Sequence, residues 1–184
     1  MSVTPNDIVL LIVGSGEIAR LLVTLAQHSD YRIIVCDDHV AEYEWPQGVE
    51  LKPFNFSAQP WSLTHNTHAI IARGHEGDAE NLTSLLQHDA QRVYLIASAA
   101  RSQGVIDQVA PLLSDPALLD RLSAPAGLNL GGRSSYHIAQ SILAEVQWRC
   151  HGQAPIQALT ELRTERLQKS LTGQRNESCP GKRP

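Results

Sequence analysis

Two stretches of this chain carry residues whose types and spacing suit the binding of a phosphorylated ligand. The first is G-S-G-E-I-A at 14–19, which follows an apolar run and opens a helical pattern. Gly14 allows a tight turn, Gly16 lets a phosphate approach the backbone, and Ala19 is small enough for close packing of helix on sheet. The free N–H groups of a helix beginning there favour an anion. Ser15, Glu17 and Ile18 are candidate contacts in the same turn. Glu17 suits the helix dipole but repels a phosphate, so it either points away or meets another part of the ligand. Asp37 and Asp38 end a second apolar run about 20 residues further on, where a carboxylate accepts hydrogen bonds from ribose hydroxyls or a similar polyol. The second stretch, A-P-A-G-L-N-L-G-G-R-S-S at 124–135, leads directly into the helical pattern Y-H-I-A-Q-S-I-L-A-E-V. Gly127, Gly131 and Gly132 allow positive φ and close backbone approach, and Ser134 or Ser135 can cap the helix. Gly127, Asn129, Gly131 and Ser134 are its candidate ligand contacts. Turns of the first kind also occur in proteins that bind no dinucleotide.

Two further constellations sit where strands should end. In R-G-H-E-G-D at 73–78, His75 and Asp78 would face a ligand crevice, with His75 able to shuttle a proton. The plainer reading makes His75 a loop residue and Asp78 the N-cap of the next helix. In Y-L-I-A-S-A-A-R at 94–101, Ser98 and Arg101 are either donors at a pocket edge or parts of an ordinary strand end and helix start. His65 and His68 form H-x-x-H, but no third ligand stands at metal-site spacing. Cys36 reads as a small buried hydrophobe whose neighbouring aspartates suppress the thiolate. Glu145 lies about 20° from Ile138 on a helical wheel, at the edge of the apolar stripe, and is either a carboxylate standing behind the residues that meet a ligand or a solvated flank.

The elements that must position these residues alternate. Apolar runs at 8–13, 32–36, 68–72 and 92–97 read as buried strands. Helical spacing recurs at Ile18, Leu21, Leu22 and Leu25, across 80–87, from about 102 to 113, briefly after Asp115, and from Ser135 onward. Prolines 46, 53 and 60 break up the region from 40 to 67, where only V-E-L-K-P-F-N-F resembles a strand. The expected fold is α/β, a doubly wound, mostly parallel Rossmann-like sheet with helices on both faces. It should occupy residues 1–152, followed by an amphipathic helix over 153–171 and a disordered tail at 172–184.

Composition sets limits around that reading. A chain of 184 residues, 42% hydrophobic and 18% charged, suffices for one α/β core. A net charge of −4 offers no general attraction to nucleic acid or an anionic membrane. The first apolar run is short and ends at a glycine, unlike a signal peptide or membrane span, so a cytoplasmic location is expected. Three scattered cysteines suggest a reducing compartment rather than a disulfide framework.

The stretch from 124 to 146 also resembles the end of the Rossmann domain of the XdhC/CoxI family, whose pattern there is roughly P-x-G-L-x-x-G-x-x-[ST]-x-x-x-I-A-x-S-I-x-A-E. Pro125, Gly127, Leu128, Gly131, Ile138, Ala139, Ser141, Ile142, Ala144 and Glu145 fall in register. Glu17 stands where the family often has histidine, and alanines at 97, 99 and 100 stand near usual glycines. The resemblance implies an accessory factor that binds the molybdenum cofactor (molybdopterin), protects its terminal sulfido form and delivers it to a xanthine dehydrogenase-like molybdoenzyme. It further implies a cysteine desulfurase or a separate subunit carrying the family's N-terminal domain as partner, and a homodimer. The fingerprint and Asp37 also allow an NAD(P)-dependent oxidoreductase, and the alanines together with Glu17 allow a Rossmann scaffold that binds no ligand.

Overall fold

The computed structural model describes residues 8–53, 63–74, 77–88, 90–152 and 156. The chain divides into two compact units, Met1–Cys150 and His151–Pro184, and all the elements below belong to the first. The expected helix over 153–171 and the tail beyond it lie outside the described residues. The sheet has six strands, β1 (Val9–Val13), β2 (Arg32–Cys36), β3 (Glu50–Lys52), β4 (Thr67–Ile71), β5 (Arg92–Leu95) and β6 (Leu122–Ser123). Four helices, α1 (Glu17–Ala26), α2 (Asp78–Gln87), α3 (Ala99–Val109) and α4 (Ser135–Cys150), connect or cover them.

Every strand pair is parallel and the order is β3-β2-β1-β4-β5-β6. This is the Rossmann order, reached because successive right-handed crossovers build outward from β1 in one direction, then resume from its other edge. Ile12 is opposite Val35 on one side and Ile70 on the other. Parallel strands are covered on both faces, which is why β1 is apolar at every position and β4 at its last three. Leu10, Ile12, Ile33, Val35 and Ile70 pack beneath α1 and α4. Leu11, Val13, Ile34, Ala69, Ile71, Val93 and Leu95 pack beneath α2 and α3. Each such fully buried leucine or isoleucine contributes roughly 1.5–3 kcal/mol.

Several elements differ in detail from the sequence expectation. The buried face of α1 is Ala19, Leu22, Val23 and Ala26, while Ile18, Leu21 and Leu25 are only partly covered. The small Ala19 and Ala26 let the helix approach the sheet closely, so the bulkier residues become its flanks. Helix α3 starts at Ala99 because Ser98 caps it, its Oγ accepting from the Arg101 amide at 3.3 Å. It tightens into a 3₁₀ turn at Ala110–Leu112, which contains Pro111. Strand β6 is only two residues long and owes its existence to pairing with Val93 and Tyr94. Among the described residues, no helix is long and apolar enough to cross a membrane.

Candidate functional site

The strand order reverses between β1 and β4, and ligands in open α/β sheets bind in the crevice this leaves at the carboxyl ends of the strands. Two clefts open there. One, of about 360 Å³, is lined by Ser15, Gly16, Asp37, His39, Glu42, Tyr43, Ala72 and Arg73. The other, of about 390 Å³, is lined by Gly16, Glu17, Ile18, Ala72, Arg73, Gly74, Ile96, Arg101 and Ser135. They meet at Gly16, Ala72 and Arg73.

The two glycines of the first turn have different tasks. Gly14 adopts φ +126°, and a Cβ there would lie 2.7 Å from the carbonyl carbon and oxygen of Ala72. Its amide donates to the Cys36 carbonyl at 2.9 Å, so Gly14 locks β1, β2 and β4 together at the crevice floor rather than offering its N–H to a ligand. Gly16 has an ordinary φ of −65°, and a Cβ there would meet nothing within 4 Å. Neither conformation nor packing requires glycine at 16, and the open space lies at the N-terminus of α1.

Asp37 is 6% exposed at the end of β2, and its Oδ1 accepts from the His39 amide at 2.9 Å. Asp38 is half-exposed and faces Arg73, 3.5 Å away. The arginine stands two residues beyond the end of β4 and lines both clefts. Sequence reasoning gave it no role, although any cation placed just after a central strand of such a sheet is a candidate. His39 and Glu42, also unanticipated, form a pair at 2.8 Å that raises the histidine above its usual pKa through that hydrogen bond.

Glu17 is turned toward the start of α4, where its Oε2 accepts from the Ser135 hydroxyl at 3.0 Å. The N-termini of α1 and α4 therefore converge on one cleft, with Ser135 rather than Ser134 at its wall. Ser134 is the cap of α4, accepting from the His137 amide at 3.3 Å. Asp78 is 4% exposed and does not cap α2, whose N-cap is Gly77 at φ +69°. Its carboxylate instead accepts from Arg101 at 2.6 Å, while Arg101 also donates to the Ile96 carbonyl at 2.9 Å. Asp78 thus positions the arginine that lines the cleft. Ser98 lies outside both clefts, as do Asn129 and Gly131, which are exposed on the loop. His75 lies outside the described residues.

Gly127 belongs to a clasp between the loop and α4. Its φ is +103°, a Cβ would lie 2.5 Å from Ser141 Oγ, and its amide donates to Glu145 Oε2 at 2.8 Å. Glu145 is 5% exposed, and its other oxygen accepts from Ser123 Oγ at 2.6 Å and faces Arg149 at 3.3 Å. Glu145 is therefore no solvated flank: it is a buried acceptor that supports the loop. Glu145→Ala is expected to lower stability by about 2–4 kcal/mol, because the buried Ser123 hydroxyl and the partly buried Gly127 amide lose their acceptor. Urea denaturation measures this, and a loss below about 0.5 kcal/mol would mean that the clasp carries no weight.

His68 and Cys150 lie away from the crevice. His68 is 1% exposed on β4, its Nδ1 is 2.8 Å from the Tyr94 hydroxyl, and its Nε2 is 3.4 Å from Cys150 Sγ. Burial pushes the imidazole down to about 4 and the thiol up to about 11, so both are neutral at neutral pH. That is the reverse of an activated cysteine–histidine pair. Cys36 is buried on β2 and its Sγ reaches the Pro53 carbonyl at 3.5 Å.

Residues 10–146 match the family model described as the XdhC Rossmann domain. The chain belongs to the XdhC family. Among solved structures, a Bacillus halodurans protein described as a xanthine dehydrogenase shares the fold, with a TM-score of 0.62 at 20% identity. The superposition covers 94% of this chain and 45% of that one, so the chain spans less than half of its structural neighbour. No curated protein matches the chain. The XdhC pattern read in the sequence now has a physical explanation. Gly127 packs against Ser141 and donates to Glu145, and the Leu128 amide donates to the Ser141 carbonyl at 3.1 Å. Their fixed spacing in the XdhC domain follows from the geometry of one loop strapped to one helix.

Proposed function

We propose that this protein is an accessory factor that binds the molybdenum cofactor for insertion into a xanthine dehydrogenase-like molybdoenzyme. The observation that carries the reading is the convergence of the α1 and α4 N-termini, joined through Glu17 and Ser135, on a cleft that also holds Arg73 and Arg101. Two helix N-termini and two guanidinium groups form a donor set for a phosphate. The space a Cβ would fill at Gly16 leaves room for it against the backbone. Ile18, Ala72 and Ile96 supply apolar walls suited to a flat heterocycle, and Asp37 supplies an acceptor for hydroxyl groups.

When bound, the group would supply a molybdenum centre bearing a terminal sulfido ligand. The chain's part is to hold and shield it. Arg73 and Arg101 would meet the phosphate, Asp78 fixes Arg101, and Ile18, Ala72 and Ile96 would cover the heterocycle. Partners on this reading are the receiving molybdoenzyme, a cysteine desulfurase or a subunit carrying the remaining family domain, and a second copy of the chain. A nicotinamide dinucleotide is the second ligand to consider, since the strand order and Asp37 suit NAD(P) as well.

Native mass spectrometry of the full chain, mixed in turn with molybdenum cofactor, NADH and NADPH, tests the proposal. Retention of the cofactor, followed by its transfer to an apo molybdoenzyme with recovery of that enzyme's activity, is expected. Retention of a nicotinamide nucleotide alone would favour an oxidoreductase, and retention of none would leave a protein-binding scaffold.

A further inference from the structure

The two arginines of the cleft between α1 and α4 each face a carboxylate that lines neither cleft, and the two pairs are built differently. Arg101 meets the nearly buried Asp78 at 2.6 Å and also donates to the Ile96 carbonyl at 2.9 Å, so two acceptors fix its guanidinium. Arg73 stands 3.5 Å from Asp38, the outer limit of a hydrogen bond, and the Asp38 side chain is 52% exposed. We infer that Asp38 is a positioning residue that competes with a bound phosphate for Arg73, so that Arg101 is the fixed half of the donor set and Arg73 the half that lets go. The inference deepens the proposed function and rests on it for a phosphate being carried at this site.

The contrast follows from solvent. A pair that includes an exposed carboxylate is weak, because water screens its charge and competes for its hydrogen bonds. A phosphate, with several charged oxygens, displaces one carboxylate oxygen at that distance and can meet the guanidinium through two parallel bonds. Drawing Arg101 away would strip a buried carboxylate of its cation, which is far more costly. Asp38 and Arg73 follow β2 and β4, the two strands that flank β1, so the sheet holds their backbones at a fixed separation and only side chains need to move. As the phosphate leaves, Asp38 is in place to take the guanidinium back. A carrier must give up what it holds, and a donor reclaimed by its own chain provides that step.

Equilibrium titration of the full chain with molybdenum cofactor and with inorganic pyrophosphate, together with the dissociation rate of the cofactor, tests this. Asp38→Asn keeps the shape and removes the charge. It should bind both probes about fivefold more tightly and release the cofactor more slowly, and Asp38→Glu should restore the wild-type values. The gain should vanish when Arg73→Gln is added, since it acts through that guanidinium. A gain that persists beside Arg73→Gln would show a general effect of charge and overturn the inference. Cofactor bound equally by wild type and Asp38→Asn would also overturn it and leave the proposed function standing. The expected pattern with pyrophosphate, from a protein that does not bind the cofactor, would overturn the proposed function and leave the inference standing. Binding of neither probe would overturn both.

Discussion

Gly14→Ala should lower the stability of this protein by about 4 kcal/mol, whereas Gly16→Ala should change it by less than about 1 kcal/mol. The two glycines are separated by one residue in the same turn and look alike as a motif. At Gly14 the backbone has φ +126°, a region that residues with a Cβ rarely enter, and the new methyl would meet the Ala72 backbone at 2.7 Å. Neither atom it meets can move without shifting the end of β4, where the Ala72 amide donates to the Val13 carbonyl at 2.7 Å. At Gly16 the same methyl enters open space from an ordinary backbone conformation. Urea denaturation of the two variants measures the contrast. Equal losses would show that the crevice floor is not locked as described.

Stability should also fall as the pH is lowered from about 6.5 to about 4, by up to about 3 kcal/mol from His68 alone. The folded imidazole is pushed down to about 4, chiefly by burial, from an ordinary value of 6.5. Between those values the unfolded chain binds a proton that the folded chain refuses. The contribution is complete above pH 6.5 and is lost progressively as the pH falls through the window. Burial sets the direction because the ring lies between β4 and α4, bonded to Tyr94 and facing Cys150. His68→Gln keeps a polar group there but does not titrate. The difference in stability between wild type and this variant should shrink by about 3 kcal/mol from pH 7 to pH 4. A constant difference would mean that His68 protonates in the folded state.

The sheet was legible because parallel strands buried on both faces leave continuous apolar runs, and because a glycine turn followed by an acidic residue after the second strand is a local signal. The position of Asp37 directly after β2 was legible for that reason. Local spacing could not show that Glu17 meets Ser135, since the two are 118 positions apart and approach only once α1 and α4 pack side by side. The same limit applied to Glu145, whose wheel position lay at the edge of the stripe. What buries it is the Ser123 and Gly127 strap folding over α4. Asp78 looked like a helix cap because it precedes helical spacing, but its partner Arg101 comes from a different crossover. Arg73 escaped notice because an arginine after a strand has no motif of its own. It matters only because β4 lies beside β1, where the crevice opens.

The central claim is that α1 and α4 together present a cofactor cleft at Gly16. Equilibrium binding of molybdenum cofactor to wild type and to Gly16→Val, with the thermal stability of both recorded alongside, tests it most directly. The variant should melt within a few degrees of wild type and bind the cofactor at least about tenfold more weakly, since the added side chain fills the space at the helix N-terminus. Undiminished cofactor binding by a folded Gly16→Val protein would contradict the account.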